Sequence, residues 1–141
     1  MLALESLPQL LAAIAVGLLV GIERGWKLRG ETPGMRVAGI RTFTLLGVAA
    51  GLAGIIAGHG FAVASGLVFA AATAIVAIGY SRAVLDSGRP DATSAVAAMV
   101  TLGLGFLAGI GEGALAVAGA AVVTLILALR AEVHRWVGPL D

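Results

Sequence analysis

The stretch GIERGW at residues 21–26 ends an apolar run, and the segment VAGIRTF at residues 37–43 begins the next one. Each segment carries charged side chains at the point where the sequence changes from apolar to polar. Because such charges mark where a helix leaves the hydrocarbon core of a bilayer, the two segments predict two membrane helices that meet at one boundary. Residues 26–39 would form the loop between them, since TPG at residues 32–34 is a turn signal.

The composition of the whole chain also indicates a membrane environment. Hydrophobic residues make up 60% of the 141 positions and charged residues 12%, with a mean hydropathy of +1.05. A soluble domain carries about 25% charged residues, so this chain has too few charges to cover a globule in water. We therefore expect an integral membrane protein, a single all-α domain over residues 1–141 with membrane lipid around it.

The same composition excludes several classes of partner and site. The net charge is +1, which gives no reason to expect a nucleic-acid partner. The chain contains no cysteine, which excludes disulfides and thiolate metal sites. No motif of a soluble catalytic centre or a phosphate-binding loop is present, so we do not expect an enzyme.

Five apolar runs approach the roughly 20 residues that a helix needs to cross a bilayer. They cover residues 4–22, 42–57, 61–79, 92–110 and 114–129. Two Gly-X-Gly segments, at residues 58–60 and 111–113, predict tight turns after the second and fourth runs. The alternative of three very long helices does not fit a bilayer of ordinary thickness. The sequence therefore predicts a bundle of five transmembrane helices.

All Lys and Arg residues fall at one end of this predicted bundle. Five lie between the first and second runs, two between the third and fourth, and two in the tail, which accounts for all nine. The N-terminal segment and the two short turns, at the other end, have none. Because basic loops stay in the cytoplasm, we expect the N-terminus outside and the C-terminus in the cytoplasm.

Small residues recur at four-residue spacing along several runs, a pattern typical of close helix contacts in lipid. The helix-packing candidates are Gly17, Gly21, Gly47, Gly51, Gly105 and Gly109. The third run has a similar seam made of Ala62, Gly66, Ala70 and Ala74. Two interpretations stay open for these seams, namely packing within one bundle and an interface between subunits.

Ionisable side chains gather at the basic edge, and none lies deep inside a predicted span. This absence disfavours a carrier that relays protons through intramembrane carboxylates. Glu23 ends its run and Arg41 begins the next, so each lies at the unfavourable end of its helix dipole, which costs about 0.3–1 kcal/mol apiece. A Glu23–Arg41 ion pair would offset both penalties, with Arg24 or Lys27 as an alternative partner for Glu23.

A cation site is the functional alternative to a purely structural ion pair. Glu23 would offer its carboxylate in a hydrated cavity, with Arg24, Arg41 and Thr42 shaping the cytoplasmic mouth. Asp91 is placed to cap the fourth run, and the functional alternative makes it a second oxygen ligand near Glu23. Mg²⁺ is held by one or two carboxylates while it keeps several waters, so these two would be sufficient.

Two pairs of motifs carry a family resemblance. The stretch GLLVGIER at residues 17–24, followed by AGIRTF at 38–43, resembles the signature of the MgtC/SapB membrane protein family, roughly GLLIGLER followed by AGLRT. DATSAVA at 91–97 with GLGFLAG at 103–109 is similar to the family's second motif, an Asp-Pro-Thr segment followed by GIGFLGAG. Ala92 stands where that family usually has Pro. The resemblance covers about residues 10 to 110, and its spacing agrees with five spans.

The resemblance implies a small multi-pass protein of the bacterial inner membrane. Classical members carry a soluble C-terminal domain, so this chain is expected to be the membrane module alone. Larger relatives fuse the module to a second membrane half, often with Glu where Ala95 stands, which implies a homodimer or a separate second half as partner. The one-sided charge favours a homodimer whose copies share one orientation.

The family is associated with growth at low magnesium. The resemblance therefore implies a protein that binds or transports a cation, with Mg²⁺ favoured. It also implies an alternative, because some members are described as regulators that bind other membrane proteins, including ATP synthase. In that alternative the protein transports nothing and acts by helix–helix contact.

Overall fold

The computed structural model describes residues 5–27, 39–87 and 92–137, with side chains described for 5–26, 39–85 and 92–129. These residues form five α-helices: α1 (Leu7–Lys27), α2 (Ile40–Gly58), α3 (Ala62–Ser87), α4 (Ala92–Gly109) and α5 (Gly113–Val137). The first four are long and apolar enough to cross a membrane, and α5 contains a shorter apolar part, Gly113–Leu129. The predicted all-α architecture of five apolar helices is confirmed.

The three helices that run toward the charged residues are longer than predicted. α1 ends at Lys27 instead of residue 22, α3 at Ser87 instead of 79, and α5 at Val137 instead of 129. The predicted spans stopped where the sequence becomes polar, but a helix satisfies its own backbone in water as well as in lipid. Lys and Arg side chains can extend from such helix ends into the headgroup layer, so the helices continue beyond the apolar runs.

The two Gly-X-Gly turns form as predicted. Gly60 and Gly111 adopt φ values of 91° and 102°, a left-handed conformation that glycine reaches without a Cβ clash. After α2, the N–H of Gly60 donates to the carbonyl of Ala57 at 3.0 Å, which closes the helix end. After α4, the N–H of Gly111 donates to the carbonyl of Ala108 at 3.2 Å. Tight turns of this kind make the joined helices neighbours that run in opposite directions.

Glycine contacts show how the central helices are arranged. A Cβ placed on Gly21 of α1 would lie 3.0 Å from Cα of Ile40, at the start of α2, so the end of α1 packs against the beginning of α2. A Cβ on Gly105 of α4 would lie 2.8 Å from the carbonyl oxygen of Gly47, and one on Gly109 would lie 2.8 Å from Cα of Gly54. Residue numbers therefore increase in the same direction along α2 and α4, so these two helices are parallel. α1 and α2 are antiparallel.

We call the end where α1 and α3 stop and α2 and α4 start the basic end, and the end with the two glycine turns the turn end. All six glycines predicted to pack helices lie at contacts between α1, α2 and α4 of the same chain, where backbone or Cβ atoms leave no room for a side chain. Such close approach increases dispersion contact between helices in lipid. These contacts correspond to the first of the two interpretations, packing within one bundle.

The core around these glycines is made largely of alanine, with a few larger side chains. Its largest fully buried side chains are Phe43, Leu102, Val16, Val20 and Thr101. α3 joins this core through an edge-to-face contact between Phe69 and Phe106 of α4, with ring centroids 5.7 Å apart. α1, α2 and α4 all pack against one another, α5 packs against α1 and α4, and α3 packs on the outside against α2 and α4.

α3 is far less covered than the other long spans. Only 11% of the residues in its most apolar segment are buried by the rest of the chain, compared with 33%, 39% and 44% for α1, α2 and α4. The predicted small-residue seam on α3 faces away from the bundle, since Ala62, Gly66, Ala70 and Ala74 are all exposed. This seam therefore differs from the glycine seams of α1, α2 and α4, because none of the described helices packs on it.

Candidate functional site: a buried ion pair at the basic end

The last turns of α1 bring a charged side chain into the packed interior. Val16, Val20 and Arg24 recur at four-residue spacing, so they share one face of the helix. Val16 and Val20 are fully buried, and Arg24 continues that face with 3% of its surface exposed. Arg24 is buried because α1 continues to Lys27, which extends the packed face by one more turn.

Arg24 binds its sequence neighbour Glu23 through two hydrogen bonds. Nε of Arg24 donates to Oε1 of Glu23 at 2.7 Å, and Nη2 donates to Oε2 at 3.3 Å. The planar guanidinium therefore contacts both oxygens of one carboxylate, the arrangement in which Arg–carboxylate pairs are strongest. The third described bond of the guanidinium runs from Nη1 to Oγ of Ser94, at 3.2 Å.

Ser94 lies in the first turn of α4, so the cluster connects the basic ends of α1 and α4. The side chains of Arg24 and Glu23 are 3% and 10% exposed, and Ser94 is 2% exposed. Charges this well shielded interact strongly, because little water is present to screen them. Removing one partner of a buried pair leaves the other charge uncompensated, which costs about 3–5 kcal/mol.

The predicted Glu23–Arg41 pair is absent, and the predicted alternative partner Arg24 takes its place. Arg41 is exposed, and within the described part of the chain it makes no ion pair. The prediction assumed that α1 ends at Glu23, but the helix continues for four more residues, to Lys27. Glu23 is therefore not at the helix end, and Arg24 is close enough to hold it without Arg41.

The other predicted residues of the mouth lie in different surroundings from those expected. Thr42 is exposed beside Arg41 at the start of α2, whereas Arg24 lies between α1 and α4 and not at an open mouth. Asp91 lies outside the described residues. Its predicted meeting with Glu23 therefore stays a prediction.

The sequence interpretation missed Ser94 as a site residue. A signal for it exists in the spacing of polar and small residues along α4. Ser94, Ala98, Thr101 and Gly105 recur at intervals of three or four positions and are all buried, which marks the face of α4 that packs against its neighbours. A hydroxyl at the basic end of that face is placed to meet a polar group from another helix.

Four further hydroxyl groups of the spans, those of Ser65, Thr73, Thr101 and Thr124, differ in their hydrogen bonds. Thr73 and Thr101 donate to the carbonyl oxygens four residues earlier in their own helices, the usual arrangement of a hydroxyl within a helix. Ser65 instead donates across helices, from α3 to the carbonyl of Ala53 in α2, at 2.6 Å. Among the described residues, the buried hydroxyl of Thr124 has no hydrogen-bond partner.

The described residues contain no group of three or more His, Asp or Glu side chains that would hold a metal ion. A hydrated ion has a lower requirement, since Mg²⁺ keeps several of its waters and binds through one or two carboxylates. Among the described carboxylates, Glu23 is the one next to the packed helices at the basic end.

An open groove of about 410 Å³ lies at the turn end, far along α1 from this cluster. Apolar side chains from α1 and α2 line it, among them Leu7, Leu10, Leu52 and Ile55. His59 at its rim makes a hydrogen bond between Nδ1 and the carbonyl oxygen of Ile55, at 2.8 Å. The groove offers no set of oxygen ligands and does not extend the candidate site.

Comparison with known proteins agrees with these features. The model of the MgtC family matches residues 10–136, which is nearly the whole chain. No curated protein and no solved structure matches. The matched region contains all of the candidate site, from Glu23 and Arg24 to Ser94. Five apolar helices and this family match identify a membrane protein, and the chain belongs to the MgtC family.

Proposed function

We propose that this protein binds a hydrated divalent cation, with Mg²⁺ favoured, at the basic end of the bundle and moves it across the inner membrane, and that it is not an enzyme. The observation that carries the proposal is the position of Glu23, a carboxylate that is 10% exposed at the edge of an apolar bundle. Ionisable groups among membrane helices are expensive to bury and mark ion pathways more often than ordinary surface charges do.

The ligand chemistry follows from the residues at this edge. Glu23 provides the first carboxylate, and Asp91 is proposed as the second because it immediately precedes α4, three positions before Ser94. Arg41 and Thr42 are exposed at the start of α2 and form the approach to the site. With so few protein ligands the cation keeps most of its water, which suits Mg²⁺ better than an ion that requires a cage of many oxygens.

Transport can be tested directly with purified protein in sealed liposomes. Mg²⁺ uptake is followed with a trapped fluorescent indicator for wild type, Glu23→Gln and Glu112→Gln. Glu112 is the matched control, since it is an exposed carboxylate in the turn between α4 and α5. We expect uptake by wild type and Glu112→Gln and its loss in Glu23→Gln. Uptake no greater than in empty vesicles, or equal uptake by Glu23→Gln, would contradict the proposal.

The proposed orientation places the basic end in the cytoplasm, because basic residues concentrate there. The chain has no cysteine, so a single introduced cysteine reports one position. Arg82→Cys lies at the exposed basic end of α3, and Glu112→Cys lies in a turn at the opposite end. A membrane-impermeant thiol reagent added to whole cells should label Glu112→Cys alone. Labelling of Arg82→Cys alone would reverse the orientation.

A second proposal concerns the partner of the exposed helix α3, which in the non-transporting alternative would be another membrane protein. The open stripe of Ala62, Gly66, Ala70 and Ala74 has the residue sizes of a helix-packing seam, but within the described part of the chain no helix packs on it. We propose that a second copy of the chain occupies it. The charge distribution supports this choice over an inverted partner, since two identical copies insert the same way round.

Subunit counting tests this candidate in lipid. Single protein molecules carrying one fluorophore each, reconstituted at low density, should bleach in two steps if α3 pairs with α3 of a second copy. One-step bleaching at every protein density would contradict the homodimer. A separate second membrane half, or another membrane protein as in the regulatory alternative, would then remain as occupants of the stripe.

A further inference from the structure

Arg24 occupies the place on Glu23 where an incoming cation would bind. Its Nε lies 2.7 Å from Oε1 and its Nη2 lies 3.3 Å from Oε2, so both oxygens of the carboxylate already face one positive group. We infer that Arg24 is a built-in competitor, and that Mg²⁺ reaches Glu23 when the guanidinium leaves the carboxylate. This inference rests on the proposed cation site and adds how access to that site is controlled.

The competition follows from charge and burial. A dication and a guanidinium held within about 4 Å of each other repel, and the repulsion is larger in a shielded site than in water. Arg24 is 3% exposed and Glu23 10% exposed, so water contributes little screening between them. The carboxylate therefore holds either Arg24 or the cation, and binding one favours release of the other.

The position of Arg24 near the end of α1 allows the displaced guanidinium to reach water. Arg24 lies three residues before the end of α1 at Lys27, at the basic end of the bundle. Its long side chain can extend past a helix end while the charged group reaches water. A lysine or arginine in the middle of the membrane could not reach water in this way. Exchange of Arg24 for the cation on Glu23 therefore requires the cluster to lie at the edge of the bundle.

Ser94 determines where the guanidinium rests when no cation is bound. Its hydroxyl accepts a 3.2 Å hydrogen bond from Nη1, which holds Arg24 across the gap between α1 and α4. A neutral hydroxyl contributes less than a carboxylate does, so Ser94 orients the guanidinium without retaining it once Glu23 is lost. Arg24 and Ser94 are therefore positioning residues that set the apparent affinity of Glu23 for cations.

Calorimetric titration of purified protein in nanodiscs with MgCl₂, at constant ionic strength, measures that affinity. Arg24→Gln removes the competing charge, so we expect it to bind Mg²⁺ at least about tenfold more tightly than wild type. Arg24→Lys keeps the charge but cannot contact both oxygens in the same way, so we expect an affinity between those of wild type and Arg24→Gln. Glu23→Gln/Arg24→Gln should lose the binding, because it has no carboxylate at this position.

The titration separates the inference from the proposed function. Equal or weaker Mg²⁺ binding by Arg24→Gln, with binding by wild type, would overturn the competition and leave the cation site standing. No binding by wild type, Arg24→Gln or Arg24→Lys would overturn the cation site together with the inference. A role of Arg24 in folding alone would lower stability, and it would not raise the affinity for Mg²⁺ in a carboxylate-dependent way.

A measurement on the wild-type protein tests the same inference if Arg24→Gln does not fold. Phenylglyoxal modifies exposed arginines, and mass spectrometry of the peptide containing Arg24 reports its rate of modification. We expect saturating MgCl₂ to raise that rate severalfold, because the displaced guanidinium enters water. Arg82, exposed on α3 outside the cluster, is the internal control and should be modified equally with and without Mg²⁺. A rate at Arg24 that Mg²⁺ leaves unchanged overturns the inference.

Discussion

The hydroxyl of Ser65 donates a 2.6 Å hydrogen bond to the carbonyl oxygen of Ala53, which joins α3 to α2 at a buried point. Ser65 is 4% exposed, although most of α3 is uncovered. In lipid, an unsatisfied polar group has no water to bond to, so hydrogen bonds between helices help to hold them together. This bond, the contact between Phe69 and Phe106, and the buried Ala72 attach the otherwise exposed α3 to the bundle.

Ser65→Ala should therefore lower the free energy of unfolding by about 1 kcal/mol, within the range measured for hydrogen bonds between membrane helices. Thr73→Val is the matched control on the same helix, because the hydroxyl of Thr73 bonds to Phe69 in its own helix. Reversible unfolding in detergent measures both changes. A loss for Thr73→Val as large as that for Ser65→Ala would show that the link between α2 and α3 adds nothing.

The glycine contacts between α2 and α4 predict a sharp difference between two neighbouring positions. A Cβ on Gly105 would lie 2.8 Å from the carbonyl oxygen of Gly47, whereas one on Gly103 would have nothing within 4 Å. Gly105→Ala should therefore destabilise the bundle by about 1–3 kcal/mol through overpacking, and Gly103→Ala should not destabilise it. Thermal unfolding of the two variants under identical conditions measures this. Equal midpoints would contradict the observed approach of the two helices.

The buried pair predicts strong coupling between Glu23 and Arg24. In Mg²⁺-free buffer, Arg24→Gln leaves the Glu23 carboxylate without its partner and should cost about 3–5 kcal/mol. Removing both charges in Glu23→Gln/Arg24→Gln should cost less than Arg24→Gln alone. The four proteins form a double-mutant cycle that reports the coupling. Additive losses would place the two side chains in water, where such a pair contributes little.

Exposure of the α3 seam predicts which positions affect dimerisation. Gly66 and Gly79 both have open space around them, but they lie on opposite flanks of the face of α3 that packs on the bundle. Gly66→Leu should convert two-step bleaching into one-step bleaching, because its side chain would hold the two seams apart. Gly79→Leu adds the same side chain outside the seam and should leave the dimer intact. A dimer that survives Gly66→Leu would mean that the copies meet elsewhere.

Much of the fold could be predicted from the sequence because lipid imposes simple rules. A spanning segment must be apolar and helical, so five apolar runs predict five helices. Glycine at a turn is readable too, since Gly60 and Gly111 adopt a conformation that other residues rarely reach. The helix ends at the basic end could not be read in this way, because hydropathy reports where the hydrocarbon stops and not where the backbone stops being helical.

The site was harder to predict, because it depends on which face of each helix is covered. The charge pattern identified Glu23 and its alternative partner Arg24, but the expected partner Arg41 is exposed on another helix. Val16, Val20 and Arg24 lie on one face of α1, so the burial of Arg24 could be predicted once α1 is known to continue to Lys27. The contact with Ser94 depends on how α4 packs against α1, which no local pattern determines.

The proposed cation site requires Glu23 to be the carboxylate that binds the cation. Infrared difference spectroscopy of the protein in lipid films, recorded with and without MgCl₂, detects carboxylate stretching bands that shift when a cation binds. We predict a Mg²⁺-dependent shift in wild type and in Glu112→Gln that is absent in Glu23→Gln. An unchanged shift in Glu23→Gln, or no shift in wild type, would contradict cation binding at Glu23.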